Sequence, residues 1–441
     1  MNGYPLALAV VLLAAPLVLA QPTPSTGERG RRFDWPQWRG PNRDGTSPET
    51  GLLKRWPNEG PPLVWQAKEL GGGYSTPSVA AGRIFGMSYR GADEVVWALR
   101  ETDGKELWVR RIAAKGKAPY NEGPRSTPTV DGDRVYALGI SGDLVCLKAD
   151  TGETVWSRNF DRDFGGSMMS SWGYSESVLV DGRCVICTPG GERKAAVANK
   201  AIVALDKRDG AEVWACDVPR GGGASYSSPI KAEAGGLTMY VTLLGKTGGV
   251  VGVRAKDGKL LWQYTRVSNS TANIPTVLFH DGYLVCSTGY PEGGYAVLRV
   301  VADGERAHVD EVEHHPAKVL QNHHGGMVRV GDSVYLGRGQ SSGLPTCVEF
   351  QTGRIVWKEE RGPGTGSAAV AAADGMLYFR YEDGQMALLE ATPKRCHMVS
   401  TFKLPDLSGK PSWPHPVIAN GKLLIRDQDR LTCFNVKTAP W

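Results

Sequence analysis

The chain has 441 residues, 41% hydrophobic and 22% charged, with a net charge of +5 in which both signs are scattered. That is a globular composition, and the absence of a basic stripe interleaved with aromatics argues against a nucleic-acid partner. The 56 glycines and 13 tryptophans stand out, and they indicate many short strands joined by tight turns.

Residues 1–20, "MNGYPLALAVVLLAAPLVLA", carry no charged side chain, and "QPTPSTGERGRR" after them is polar. This reads as a Sec-type signal peptide with Val18 and Ala20 as small residues before a cut near Gln21. Pro16 and the brevity of the run argue against a membrane span. No cysteine follows at the cut, so no lipid anchor is expected. The expectation is a soluble periplasmic or secreted protein, with no transmembrane segment after cleavage and monomeric.

Residues 21–58 form an arm. Its "FDWPQWRGPNRDGTS", with Trp35, Trp38, Pro36 and Pro41, suggests a non-sheet segment folded against the body, over one mouth. The body, 59–441, is repetitive. "ALRETDGKELW" ends at Trp108, "CLKADTGETVW" at Trp156, "ALDKRDGAEVW" at Trp214, "GVRAKDGKLLW" at Trp262 and "VEFQTGRIVW" at Trp357. With Trp65 the first five tryptophans are spaced 43, 48, 58 and 48 residues apart. A degenerate unit near residue 309 and one ending at Phe402 complete eight units of about 48 residues.

Each unit also repeats a front half, as "STPSVAAGRIFGM" from Ser75 matches "STPTVDGDRVYAL" from Ser126. A unit therefore reads as four short strands, with a hairpin turn at the D/T-G dipeptide where Gly takes φ > 0 without steric cost. Four-stranded units at this period are blades, and the fold class is all-β, an eight-bladed β-propeller of antiparallel blades. Trp65 lies on a fourth strand with no strands before it, and the last unit has three strands and no fourth. The two ends are expected to share one blade and close the ring. Trp65, Trp108, Trp156, Trp214, Trp262 and Trp357 then fill the wedges between twisted blades and are structural.

Eight cysteines in an exported chain could form four disulfides. Cys146, Cys286, Cys347 and Cys433 lie in apolar strand-like runs, however, and read as small buried hydrophobes. Cys184 and Cys187 form a C-x-x-C that Thr188, not His, follows, so haem attachment is not supported.

The A-x-x-x-T/D-G-x-x-x-W repeat resembles the docking motif of pyrroloquinoline quinone (PQQ) repeat proteins, whose superfamily contains the eight-bladed quinoprotein alcohol dehydrogenases. "DWPQWRGPNRDG", "SSWGYSESVLVDG", "QNHHGGMVRVGD" and "SWPHPVIANGKLLIRDQDRL" are similar to segments of exported PQQ-binding-like propellers described as polyvinyl-alcohol dehydrogenase-like. This resemblance implies PQQ with Ca²⁺ as cofactors and oxidation of an alcohol or sugar, which needs oxygen ligands and a carboxylate base. The alcohol-oxidising families commonly carry adjacent cysteines and long insertions, and no two cysteines are adjacent here. The superfamily also includes the non-catalytic propeller scaffold of the outer-membrane β-barrel assembly machinery, which implies an envelope protein as partner. Three readings stay open: a quinone-type or similar small-ligand propeller with or without oxidoreductase activity, an interaction scaffold, and a carbohydrate-binding propeller.

Propeller ligands sit where the loops into the innermost strands converge. Aligning the units places Tyr74, Arg125, Tyr174, Tyr226, Ala272, His323 and Trp413 there. Glu176, Asn273 and His415 lie further in, and Trp172, Asn322 and His324 flank the ring. The unit near Gly366 does not align. One reading is a pocket whose aromatic faces sandwich a flat or sugar-like ligand, with Arg125 on an anion and Glu176 as base or metal ligand. The other is a channel mouth with ordinary polar packing. A slip of one residue would turn inward side chains outward. The histidines lack H-E-x-x-H spacing, so no histidine metal site is expected.

Overall fold

The computed structural model describes residues 33–120, 122–191 and 200–438, with Met1 and Gly3. The expected signal peptide and the arm up to residue 32 lie outside the described residues. Eight antiparallel sheets of consecutive strands form the ring. Their innermost strands are Ser78–Ala80, Thr129–Asp131, Leu179–Asp181, Ile230–Ala234, Leu278–His280, Asn322–Val330, Ala368–Ala373 and Val417–Ala419, which define blades 1 to 8. Blade 8 is completed by the N-terminal strand Leu63–Ala67, with Trp65 opposite Cys433 on the last strand. The two ends thus close the ring by main-chain hydrogen bonding.

The recurring tryptophan has a two-sided seat. Within its blade it faces a small residue across the strand pair: Ala98 for Trp108, Cys146 for Trp156, Ala204 for Trp214 and Gly252 for Trp262. A Cβ on Gly252 would lie 2.2 Å from the indole, so the smallness of this position is a packing requirement. Cys347 and Cys433 occupy the same position opposite Trp357 and Trp65. All eight cysteines are free thiols.

Toward the next blade, the indole covers the D/T-G turn. Trp65 lies over Gly104, Trp108 over Gly152, Trp156 over Gly210 and Trp214 over Gly258. These glycines have φ between 69° and 74°, and any Cβ there would meet the ring at 2.4–2.8 Å. The indole N–H of Trp108 donates to Ala149 O at 3.1 Å, and that of Trp156 to Lys207 O at 3.0 Å, in the following blade. Gly at the turn and Trp at the strand are therefore one interlock between neighbouring blades.

Two blades lack the tryptophan. In blade 5 His314 stands opposite Ala296, five residues after the position expected from spacing. In blade 7 Ser400, not Phe402, holds the equivalent place opposite Leu388. Trp56, from the segment before the first blade strand, packs beside it. Its backbone N–H donates to Ser400 Oγ at 3.0 Å, and its ring meets Phe402 edge-on at 5.1 Å.

Residues 34–47 cross the central channel. Trp35 exchanges both main-chain hydrogen bonds with Val79 of blade 1, and Val130 N of blade 2 donates to Pro36 O at 2.8 Å. The buried Arg43 guanidinium donates to Ser177 O and Val178 O of blade 3, and Arg39 to Met327 O of blade 6. Thr46–Ser47 adds a short parallel strand to Ala368–Ala373, giving blade 7 five strands. The innermost strands offer unpaired N–H and C=O groups to the axis, and this segment satisfies them. It is a partly sheet-forming channel plug, where a non-sheet segment over one mouth was expected.

Candidate functional site

Above the plug the channel mouth opens into a cavity of about 450 Å³, within the size range of small-ligand sites. Trp38 of the plug lies in its wall, held by a 2.8 Å hydrogen bond from its indole N–H to Thr276 Oγ1. Tyr74, Arg125, Trp172, Tyr226, Ala272, His323, His324, Trp413 and His415 line it.

Four of the expected residues do not line it. The Tyr174 ring packs edge-on against Phe160 at 5.0 Å and its hydroxyl donates to Pro189 O. Glu176 is buried, and Asn273 bonds Asn269 and the Leu244 carbonyl. Asn322 donates to Gly337 O. In blade 3 the cause is register. Leu179 pairs with Ile186 just as Thr129 pairs with Tyr136 in blade 2, so Ser175 and Ser177 are the true counterparts of Arg125 and Thr127. Matching on the tyrosine moved the blade by one residue, which exchanges its two faces.

Sequence alignment of the inward loops could not find Tyr120, Tyr290, Gln340 or Glu382, which also line the cavity. Tyr290, Gln340 and Glu382 lie between the second and third strands of blades 5, 6 and 7. The missed signal is antiparallel alternation. A second strand ends at the mouth where the first began, so its following turn reaches the same cavity. Tyr120, 57% exposed, and Tyr290 hold φ of 50° and 68°, a left-handed backbone that non-glycine residues seldom adopt.

The rings of the wall pack on each other. Tyr74 stacks on Trp413 at 4.6 Å and 24°, and His324 lies 4.5 Å from Trp413 and 3.7 Å from His323. His323 also meets Tyr290 edge-on. Across the mouth Trp172 meets Tyr226 edge-on at 6.1 Å. These contacts consume ring faces within the wall, so the opposed pair of free faces expected for a sandwich is not formed by them.

Among the described residues Arg125 is the one Lys or Arg lining the cavity. Its Nη2 donates to Pro119 O and Tyr120 O, both at 3.1 Å, and its guanidinium sits 5.2 Å over the Tyr74 ring. Tyr74 in turn donates its hydroxyl to Glu122. Burial draws the Arg125 pKa down, opposed by Tyr74 and its neighbours, and a guanidinium keeps its proton at neutral pH. Glu382 is the one carboxylate of the lining, and its Oε1 accepts the Ser367 N–H at 2.9 Å.

The three histidines are neutral at pH 7. Burial lowers His323 to about 4 and His415 to about 3, and it holds His324 well below 6.5 with help from His323 and Arg125. The native state therefore binds fewer protons than the unfolded chain below pH 6.5. The stability these histidines carry is full above that pH and is lost as pH falls toward 4. Glu94 and Glu176, each raised by burial to about 7, act oppositely and lose stability between about pH 4.5 and 7. His323→Gln, which keeps a hydrogen-bonding side chain, is expected to flatten the acid limb. Denaturant titrations at pH 4.5 and 7 should show a smaller difference than in the wild type, by the order of 2 kcal/mol. An unchanged difference would contradict the neutral assignment.

A calcium-held quinone does not fit this donor set. Ca²⁺ takes six to eight oxygen ligands rich in carboxylates, whereas the described lining offers one carboxylate, Glu382. Among the described residues no three His, Cys, Asp or Glu side chains converge as metal ligands. Glu176, the expected base, is turned away, and its Oε1 accepts the Thr188 N–H at 2.6 Å.

A family model described as outer membrane protein assembly factor BamB matches residues 51–187 and 92–359. Curated relatives include that assembly factor from Burkholderia pseudomallei, 23% identical over 45% of this chain and 44% of its own length. A tetrathionate hydrolase of Acidithiobacillus ferrooxidans is 25% identical over 62% of this chain and 51% of its own length. The chain thus spans about half of the curated relatives it matches. Among solved structures, BamB from Moraxella catarrhalis superposes with a TM-score of 0.57 at 16% identity, over 86% of this chain and 98% of that one. Quinohemoprotein alcohol dehydrogenase from Comamonas testosteroni superposes at 0.63 and 14%, over 93% and 82%. These likenesses are of fold.

Proposed function

This chain belongs to the PQQ-like β-propeller family described as outer membrane protein assembly factor BamB, and from that premise we propose that it is a small-molecule-binding propeller of the periplasm or cell exterior. The observation that carries the reading is the cavity itself: a plugged channel mouth where aromatic rings, neutral histidines and one guanidinium converge. A channel serving only as scaffold needs no such convergence. We read the ligand as held without calcium, because the described wall supplies a single carboxylate, Glu382, and no cage of oxygen ligands around a cation.

Trp38, Trp172 and Trp413 are built-in reporters. Titration with a panel of hexoses, hexuronates and planar quinones is expected to change their fluorescence for at least one class. Dye-linked oxidation of alcohols or sugars with PQQ and Ca²⁺ is expected to be absent. Calcium-dependent turnover would overturn the reading.

One surface observation favours a second reading, that of a scaffold for an envelope protein. Met398, Leu63, Val64 and Leu107 are exposed on the outer strands of the adjacent blades 7, 8 and 1, an apolar rim of the kind that marks contact surfaces. Co-purification of an envelope protein, lost in Leu63→Glu, would support it.

A further inference from the structure

The floor of the cavity is biased toward hydrogen-bond donation. Thr76 Oγ1 accepts the His415 N–H at 2.9 Å, and Ser177 Oγ accepts the Thr127 N–H at 2.9 Å. Ser228 Oγ accepts the Ser177 N–H at 2.9 Å, and Thr276 Oγ1 the Trp38 indole N–H at 2.8 Å. These hydroxyls line the cavity from blades 1, 3, 4 and 5. A hydroxyl whose oxygen already accepts an N–H keeps its own proton to give. The arrangement that latches neighbouring blades and the plug together therefore also presents an arc of O–H donors to a ligand.

Arg125 stands beside this arc as a fixed cation, while Glu382 and Gln340 are wall acceptors on blades 7 and 6. A ligand filling the site must offer acceptors and one negative charge to the floor and Arg125. It must also offer donors to Glu382. Hydroxyl groups meet both needs, since each donates and accepts. A planar apolar ligand would leave buried donors unpaired, at about 1–3 kcal/mol each. A phosphate dianion would face one guanidinium with no second cation, and the three histidines remain neutral. A single carboxylate matches Arg125 in charge, and Nη1, which has no hydrogen-bond partner, is the donor left for it.

Resting on the small-molecule reading above, we propose that the ligand is an acidic saccharide of the hexuronate type, with Arg125 binding its carboxylate and setting specificity for the acidic over the neutral sugar. Tyr74 beneath the guanidinium, and the carbonyls of Pro119 and Tyr120 that hold Nη2, are positioning groups for Arg125.

The test uses the mature protein, calorimetric titration and intrinsic fluorescence, with digalacturonate, galactobiose, inorganic phosphate and PQQ as probes. Digalacturonate is expected to bind about tenfold or more tighter than galactobiose. Arg125→Gln is expected to erase that ratio while leaving galactobiose binding in place, and Arg125→Lys to retain part of it, since charge persists without the fork. Equal binding of both disaccharides, or binding of PQQ or phosphate alone, overturns the acidic-saccharide assignment and leaves the small-molecule reading standing. No response to any probe, in a protein whose unfolding is cooperative, overturns both.

Discussion

Arg426→Met is expected to destabilise the propeller by roughly 3–5 kcal/mol, measured as a fall in the urea midpoint with little change in slope. Arg426 lies in the strand Lys422–Asp427 of blade 8 and is wholly buried. Its guanidinium donates to Ser75 O at 2.9 Å, Met87 O at 2.7 Å, Gly71 O at 3.3 Å and Gln428 O at 2.9 Å, and to Ser88 Oγ at 2.9 Å. It also sits 5.6 Å over the Trp97 ring. Burial lowers its pKa to about 9, so it remains charged at neutral pH. Most of these acceptors belong to blade 1 or the loop entering it, so one side chain ties the last blade to the first. Methionine fills comparable space but donates nothing, and every acceptor loses a partner that water cannot replace. Arg426→Lys should recover little, because three donors on a flexible stem cannot reproduce the fork. An unchanged midpoint would show that the ring closes without this tie.

Trp35→Ala is expected to release the plug before the ring. Trp35 is 2% exposed, is bonded through its backbone to Val79, and has Gly40 packed on its ring at 3.1 Å from an added Cβ. Large-to-Ala changes at such sites cost about 3–5 kcal/mol. Here the cost falls on a short segment whose remaining anchors include Arg39, Arg43, the Trp38 indole and the two-residue strand Thr46–Ser47. Limited proteolysis should therefore cut within residues 34–47 under conditions where wild-type protein is resistant, ahead of global unfolding. Because Trp38 leaves the cavity wall with the plug, ligand-induced fluorescence change should fall as well. Wild-type resistance to cleavage would mean that the other anchors hold the segment without this indole.

The fold was legible because its determinants are local and repeated. A turn glycine, a small residue and a tryptophan recur in register, and each recurrence is the same interlock between successive blades. Trp65 without preceding strands already implied closure by the two termini. The cavity was legible only in part. Tyr74, Arg125 and Trp413 fall at equivalent points of their units and were found by counting, and Tyr226, two residues before the equivalent Ser228, keeps the same face. Tyr174 and Glu176 were misplaced inward because blade 3 is offset by one residue, and a period of two converts one residue of error into the opposite face. Tyr290 and Glu382 belong to turns on the far side of a strand pair, and no spacing rule for inward loops reaches them.

What the sequence by itself determined is therefore the blade, its number and its closure, since these follow from hydrogen-bonded hairpins and nearest-neighbour packing repeated eight times. What only the tertiary structure decided is the interior of the ring. Trp38, Arg39 and Arg43 carry no sign in the sequence that they enter the channel. The place of this segment is set by main-chain groups of five blades converging on one axis, a demand that exists only once the ring has closed.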